Sequence, residues 1–249
     1  MHVLIGFLVG IALFSSFYPQ NTAPKGEWII ANSTDPNVTS HHRIKPLSDF
    51  QTDRLVKQTY DYSCGSAALA TLMKFYLGEQ FSEKQVIHGM LQYGDPERIK
   101  QRRAFSLLDM KKFVNALGYE ANGYKGNLED IQDSEFWPCI VPIKIFEYRH
   151  FVVVKGIHNG HIFIADPWRG HSSYTLSRFE DIWYENVMFV VSSNKKKFFH
   201  ALKLREEDLL YIDEETGMNA MNKETINRIP LDIEQALKEV PEHRQYYKP

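Results

Sequence analysis

A chain of 249 residues is long enough for one substantial core, and a single domain with appendages accounts for that length more simply than two domains. Its 43% hydrophobic and 24% charged residues are the proportions of an ordinary globular protein. The formal net charge of -2 leaves no electrostatic footprint for nucleic acid, which disfavours a polyanion partner.

In chain order, Val3 to Phe17 (VLIGFLVGIALFSSF) is an uncharged apolar run of the size of a signal-peptide core, followed by the polar stretch YPQNTAPKG. It is short for a spanning helix, which needs roughly 20 residues, and only His2 stands where Lys or Arg is usual. Residues 1–20 are therefore expected to be a signal peptide or an N-terminal anchor in the inner membrane, placing the protein outside the cytoplasm, in the periplasm or at the cell surface. Residues 21–55 lack sustained periodicity and read as a linker or arm. The triplets at Asn32 and Asn37 match the glycosylation pattern but are common by chance.

From Cys64 onward the apolar positions Ala67, Ala68, Leu72, Phe75 and Tyr76 fall on one helical stripe, closed by Gly78. Two further helices are announced by caps, Ser82 with Gln85 and Ser106 with Asp109, the second running to Gly118. After Trp137-Pro138 the texture changes to the β-branched and aromatic runs CIVPIKIF, HFVVVKGI, HIFIADP and VMFVVSS. A helical front half and an antiparallel sheet behind it give an α+β fold over residues 56–193. Residues 194–249 are expected to be a charged, partly helical tail, entered through the solvated Lys195 to Lys197.

One of the two cysteines opens the first helix, as TYDYSCGSAALATLMKFY. A thiol becomes a good nucleophile only as the thiolate, and the unpaired N–H groups and macrodipole of a helix N-terminus favour that anion. Gly65, Ser66 and Ala67 keep those amides uncrowded. A base and an orienting group must complete the set. His150 opens one apolar strand and Asp166 ends the next, so a single hairpin presents both.

Register decides whether they meet. A two-residue Asn159-Gly160 turn puts Asp166 opposite Val153, on the face away from His150. A three-residue loop, His158-Asn159-Gly160 with a bulge at Gly160, puts Asp166 opposite Val152 and makes it a diagonal neighbour of His150. The three-residue loop is therefore expected. Gln58, six residues before Cys64, can bring its side-chain amide beside the Cys64 N–H as an oxyanion donor.

Gln58-Thr-Tyr-Asp-Tyr-Ser-Cys64-Gly65-Ser-Ala67-Ala-Leu, Ser106-Leu-Leu-Asp-Met, and His150-Phe-Val-Val-Val to Ala165-Asp166-Pro167 together resemble the bacteriocin-processing cysteine peptidases, which cut after the double-glycine leader of secreted peptides. The resemblance covers roughly Gln58 to Val191. It implies a papain-like fold with Cys64 as nucleophile, His150 as base, Asp166 as orienter and Gln58 as oxyanion donor. Many members carry an acidic residue just before the cysteine, where this chain has Ser63. With no GxxxxGK[ST] phosphate loop and one apolar segment, the chain is not expected to be a transporter or to hold ATP. It is similar to the freestanding exported branch, some of whose members accompany secretion of peptides or fibre-forming proteins.

Other readings remain beside this one. Cys64 and Cys139 could form a disulfide, although Cys139 in PCIVPIKI fits a buried strand thiol better. A degenerate relative could grip secreted cargo without cutting it, and the same thioester could serve transamidation. No cofactor is called for. The pairs His41-His42 and His158/His161 lack the carboxylate or thiol company of a metal site.

Overall fold

The computed structural model describes residues 27–31, 39–43, 47–146, 148–192, 200–210 and 233–239. The apolar run at 3–17, Asn32, Asn37 and Lys195 to Lys197 lie outside them. No helix among the described residues is long and apolar enough to cross a membrane. The chain divides into two units, 1–49 and 50–249. In the first, β1 (Glu27–Ala31) and β2 (Thr39–Arg43) pair antiparallel, Glu27 opposite Arg43 and Ala31 opposite Thr39.

The second unit begins within α1 (Leu47–Thr52) and has a helical layer on one face of a sheet. Its central helix, α2 (Cys64–Leu72), is buried along its whole length and runs into a single π turn, Met73–Leu77. Gly78 ends it in the left-handed conformation at φ 78°, as the sequence suggests. Against α2 pack α3 (Glu83–Tyr93) and α5 (Leu107–Ala116), separated by α4 (Pro96–Arg102). The expected capping boxes are present: Ser82 and Gln85 bond reciprocally at the start of α3, and Ser106 and Asp109 at the start of α5.

The sheet has six strands in the order β3-β8-β4-β5-β6-β7, every neighbouring pair antiparallel. These are β3 (Glu120–Lys125), β4 (Cys139–Ile145), β5 (Tyr148–His158), β6 (His161–Asp166), β7 (Gly170–Thr175) and β8 (Val187–Ser192). After β3 comes α6 (Leu128–Gln132), and after β7 comes α7 (Leu176–Ile182). The central strands are apolar without alternation because both faces are covered. Val153 and Ala165 join the core under α2, α3 and α5, whereas Val152, Val154, Ile162 and Ile164 join a second core with Phe179 of α7 and Trp183. Beyond β8, short 3-10 turns at His200–Leu202 and Glu206–Leu210 and the helix α8 (Ile233–Lys238) return to the helical layer, Leu202 and Ala236 packing on its core.

The β5–β6 hairpin corrects one expectation. His158 pairs directly with His161, and the loop is the two residues Asn159 and Gly160, with φ of 47° and 74°. Positive φ at both positions is the type I′ turn that an Asn-Gly pair favours and that matches strand twist, so it prevails over the longer loop. The compensating residue lies inside β5 instead. Gly156 faces Phe163 but Val154 faces Ile164, leaving Lys155 as a bulge. Val153 then faces Ala165, and the strand ends enter the site in the register that brings Asp166 onto the His150 side.

Candidate active site

The segment leading into α2 is fixed before it reaches the thiol. Gln58 N–H donates to the Pro167 carbonyl at 2.9 Å, tying the segment to the turn after Asp166. Thr59 N–H donates to the buried carboxylate of Glu83, with N···O distances of 3.0 and 3.3 Å. The Ser63 hydroxyl lies 2.6 Å from Glu83 Oε1 and 2.7 Å from the Tyr60 carbonyl, and its one hydrogen serves either. Ser63 is thus the residue before the helix but does not cap it, which leaves the first-turn amides at Cys64 without a side-chain acceptor.

Cys64 is 7% exposed at a cleft of about 780 Å³ whose walls include Tyr62, Leu108, Arg149, His150 and Tyr184. Gly65 is closely packed: a Cβ there would lie 2.6 Å from Met110 Cε, the mobile end of a flexible side chain, and 3.2 Å from the Phe151 ring. The Ser106-Leu-Leu-Asp-Met stretch shapes the cleft rim. Asp109 is buried and accepts from Ser106 N–H at 2.9 Å, from Ser106 Oγ at 2.7 Å and from Arg102 Nη2 at 2.7 Å, which holds Leu107 and Leu108 along the opening.

His150 and Asp166 meet as the bulged register requires, with 2.6 Å between Nε2 and Oδ1. Both are buried, at 3% and 0% exposure. Oδ1 also accepts from the N–H groups of Trp168 at 2.7 Å and Arg169 at 3.1 Å, so the turn after β6 fixes the carboxylate. Tyr148 stacks on the imidazole at 5.9 Å and Trp168 meets it edge-on at 6.3 Å, shielding the pair from water. Burial disfavours the imidazolium, but the charge and hydrogen bond of Asp166, with a smaller contribution from Cys64, outweigh it and push His150 up to about 10. Burial likewise works against the Asp166 carboxylate; His150 and the two backbone donors prevail and hold it below its ordinary value.

With Nε2 committed to Asp166, the ring presents Nδ1 to the thiol side. Nδ1 is buried and makes no well-formed hydrogen bond, while Cys64 is near enough to act on the ring electrostatically. That leaves the nitrogen available to hold a proton shared with the sulfur.

Gln58 is placed differently from the other three. It is buried at 5% exposure, its Nε2 donates to the Tyr60 carbonyl at 2.8 Å, and Oε1 has no partner. It is not among the residues that line the cleft. Cys139 is a free, fully buried thiol whose desolvation pushes it up to about 12, and Cys64 is free as well. Sequence reasoning missed Glu83, Tyr148 and Trp168. Glu83 follows a cap residue and reads as an ordinary first-turn acid, whereas the pair of aromatics flanking His150 and Asp166 was visible as Tyr148 and Trp168, two positions outside each.

The pattern of the Peptidase C39 family matches residues 52–196. The chain belongs to that family. It is 39% identical over 151 residues to the Probable functional amyloid protease FapD of Pseudomonas aeruginosa, covering 61% of this chain and 66% of that one. Identity to the protein of the same name from Pseudomonas fluorescens is 31% over 149 residues, covering 60% and 65%. The chain thus spans just under two thirds of the length of these relatives. It is 26% identical over 146 residues to the Lactococcin-G-processing and transport ATP-binding protein LagD of Lactococcus lactis, covering 55% of this chain and 18% of that one. Among solved structures, the peptidase domain of Streptococcus ComA aligns with 22% identity and a TM-score of 0.47 over 56% of this chain and 98% of that one. A double glycine motif protease from an AMS/PCAT transporter, solved with its leader peptide, aligns with 24% identity and a TM-score of 0.47, covering 56% and 91%.

Proposed function

We propose that this C39 family member is a cysteine endopeptidase of exported peptide or protein substrates, working by Cys-His-Asp acyl transfer. The observation that carries the proposal is the buried His150–Asp166 hydrogen bond of 2.6 Å on the wall of the cleft that exposes Cys64 at a helix N-terminus. In this reading the Cys64 sulfur attacks the scissile carbonyl carbon while the thiol proton resides on His150 Nδ1. The backbone N–H of Cys64 receives the developing oxyanion, joined by the Gln58 Nε2 hydrogen that is not engaged by Tyr60. His150 then protonates the leaving amine, leaving a thioester on Cys64. It next takes a proton from the water that attacks the thioester, and the carboxylic acid product departs with the thiol restored.

The cleft walls set the apolar Phe105, Leu107 and Leu108 beside Arg102, Arg149 and Glu185, which suits an extended substrate segment that carries both apolar and polar residues. The amyloid-protease names of the Pseudomonas relatives, together with the apolar run at 3–17, favour a secreted, fibre-forming protein as substrate and a site of action outside the cytoplasm. The test is incubation of candidate exported proteins with the wild type and with Cys64→Ala. Cleavage by the wild type alone is the expected result; equal binding and no cleavage by either protein would instead establish a peptide-binding module.

A further inference from the structure

The register that joins His150 to Asp166 depends on the bulge at Lys155, and both residues of that bulge are held by one segment. Lys155 has a side chain 1% exposed, and its ammonium donates to Asp208. Gly156 lies under Leu204, whose Cδ1 would be 3.1 Å from a Cβ placed there. The segment is clipped on independently: Arg54 donates to the carbonyls of Ala201 at 2.7 Å and Lys203 at 3.3 Å, and to Asp208 Oδ1 at 2.9 Å. Asp208 Oδ2 also accepts from Arg205 N–H at 2.8 Å. Ala201, Lys203, Leu204, Arg205 and Asp208 lie beyond 52–196, the part of the chain that matches the family pattern.

We infer that residues 200–210 belong to the catalytic apparatus, with Asp208 acting as a positioning residue that pins the Lys155 bulge and thereby sets the His150–Asp166 register. The inference rests on the peptidase reading above. Burial pulls Lys155 down to about 8 against the attraction of Asp208, while Lys155 and Arg54 help keep Asp208 below its ordinary value despite its own burial. His171, across the cluster, is lowered to about 4 by burial and by the Lys155 charge, so it adds no further cation to Lys155 and Arg54. Without the Asp208 carboxylate, Lys155 loses its ion-pair partner, while Arg54 keeps Asp53, 3.5 Å from its Nε. An unpaired buried charge is costly, and Lys155 leaves the interior most simply by surrendering the bulge. The hairpin then continues from its two-residue turn in one register, which sets Asp166 opposite Val153 and away from His150.

The test is the pH profile of Cys64 alkylation by iodoacetamide in the full chain, compared among wild type, His150→Ala and Asp208→Asn. The wild-type profile shows a histidine-dependent limb that His150→Ala lacks; absence of that limb from the wild type would defeat the peptidase reading itself. Asp208→Asn, still folded by circular dichroism, is expected to lose the same limb and to react roughly 10- to 100-fold more slowly at neutral pH, while Asp208→Glu restores part of both. A folded Asp208→Asn protein with the wild-type profile would overturn the inference. Should Asp208→Asn fail to fold, Lys155→Met decides: it leaves Asp208 paired with Arg54, and a wild-type profile in that variant overturns the inference equally.

Discussion

His150 sits between two demands, since burial disfavours its charge while Asp166 and Cys64 favour it. Replacing Asp166 with Asn removes the larger support, so the imidazole is expected to titrate below its ordinary value of about 6.5 instead of near 10, as read by NMR of labelled histidine. The same variant is expected to lose about 10²- to 10⁴-fold in kcat/KM. The sign of the linked stability follows. A raised histidine stabilises the fold fully below about 6.5, and that contribution fades as pH rises from there towards about 10. Denaturant midpoints should therefore fall over that window more steeply in the wild type than in His150→Ala. At this scale the start of a helix at Cys64 and the meeting of His150 with Asp166 were legible, because each residue stands at the end of an element whose pattern is strong. The amide of Gln58 was not: its bond to a carbonyl two residues on is set by the local path of a loop, which no periodicity reports. Glu83 was hidden for a related reason. Its carboxylate serves Thr59 and Ser63, twenty or more positions earlier.

Among the elements, the β5–β6 hairpin shows how a wrong local step can leave the destination unchanged. Asn159-Gly160 forms the tight turn its residues favour, and the extra residue that brings Asp166 onto the His150 side lies at Lys155, where a valine-rich run offers no sign of a bulge. The capping boxes at Ser82 and Ser106 were readable because both partners lie within four residues of each other. The contact between α3 and α5 was not, since it depends on Gly89 meeting Phe113 across space. A Cβ at Gly89 would stand 2.2 Å from the Phe113 ring, which is also packed by Phe81 and Tyr93. Gly89→Ala is therefore expected to cost about 1–3 kcal/mol through overpacking, outweighing the gain of at most about 1 kcal/mol in helix propensity. Thermal unfolding would show a lower Tm with kcat/KM unchanged at low temperature; a raised Tm would mean that the two helices separate easily.

Over the whole molecule, the α+β order was legible because the helical and strand signals occupy different halves of the chain. The sheet order was not, because β8 inserts between β3 and β4, a pairing between segments more than forty residues apart. Nor was the return of residues 200–210, whose charged composition looks like tail while Leu202, Leu204 and Asp208 face inward. Cys64 of the helical layer and His150 of the sheet line one cleft, with Asp166 of the sheet bonded to His150, so the proposed chemistry depends on the two layers staying docked. The measurement that tests this most directly is mass-spectrometric mapping of the termini of exported proteins from cells carrying the wild type, Cys64→Ala or His150→Ala. New termini present with the wild type and lost together in both variants are expected; identical termini in all three would contradict the assignment of Cys64 and His150 as one peptidase centre.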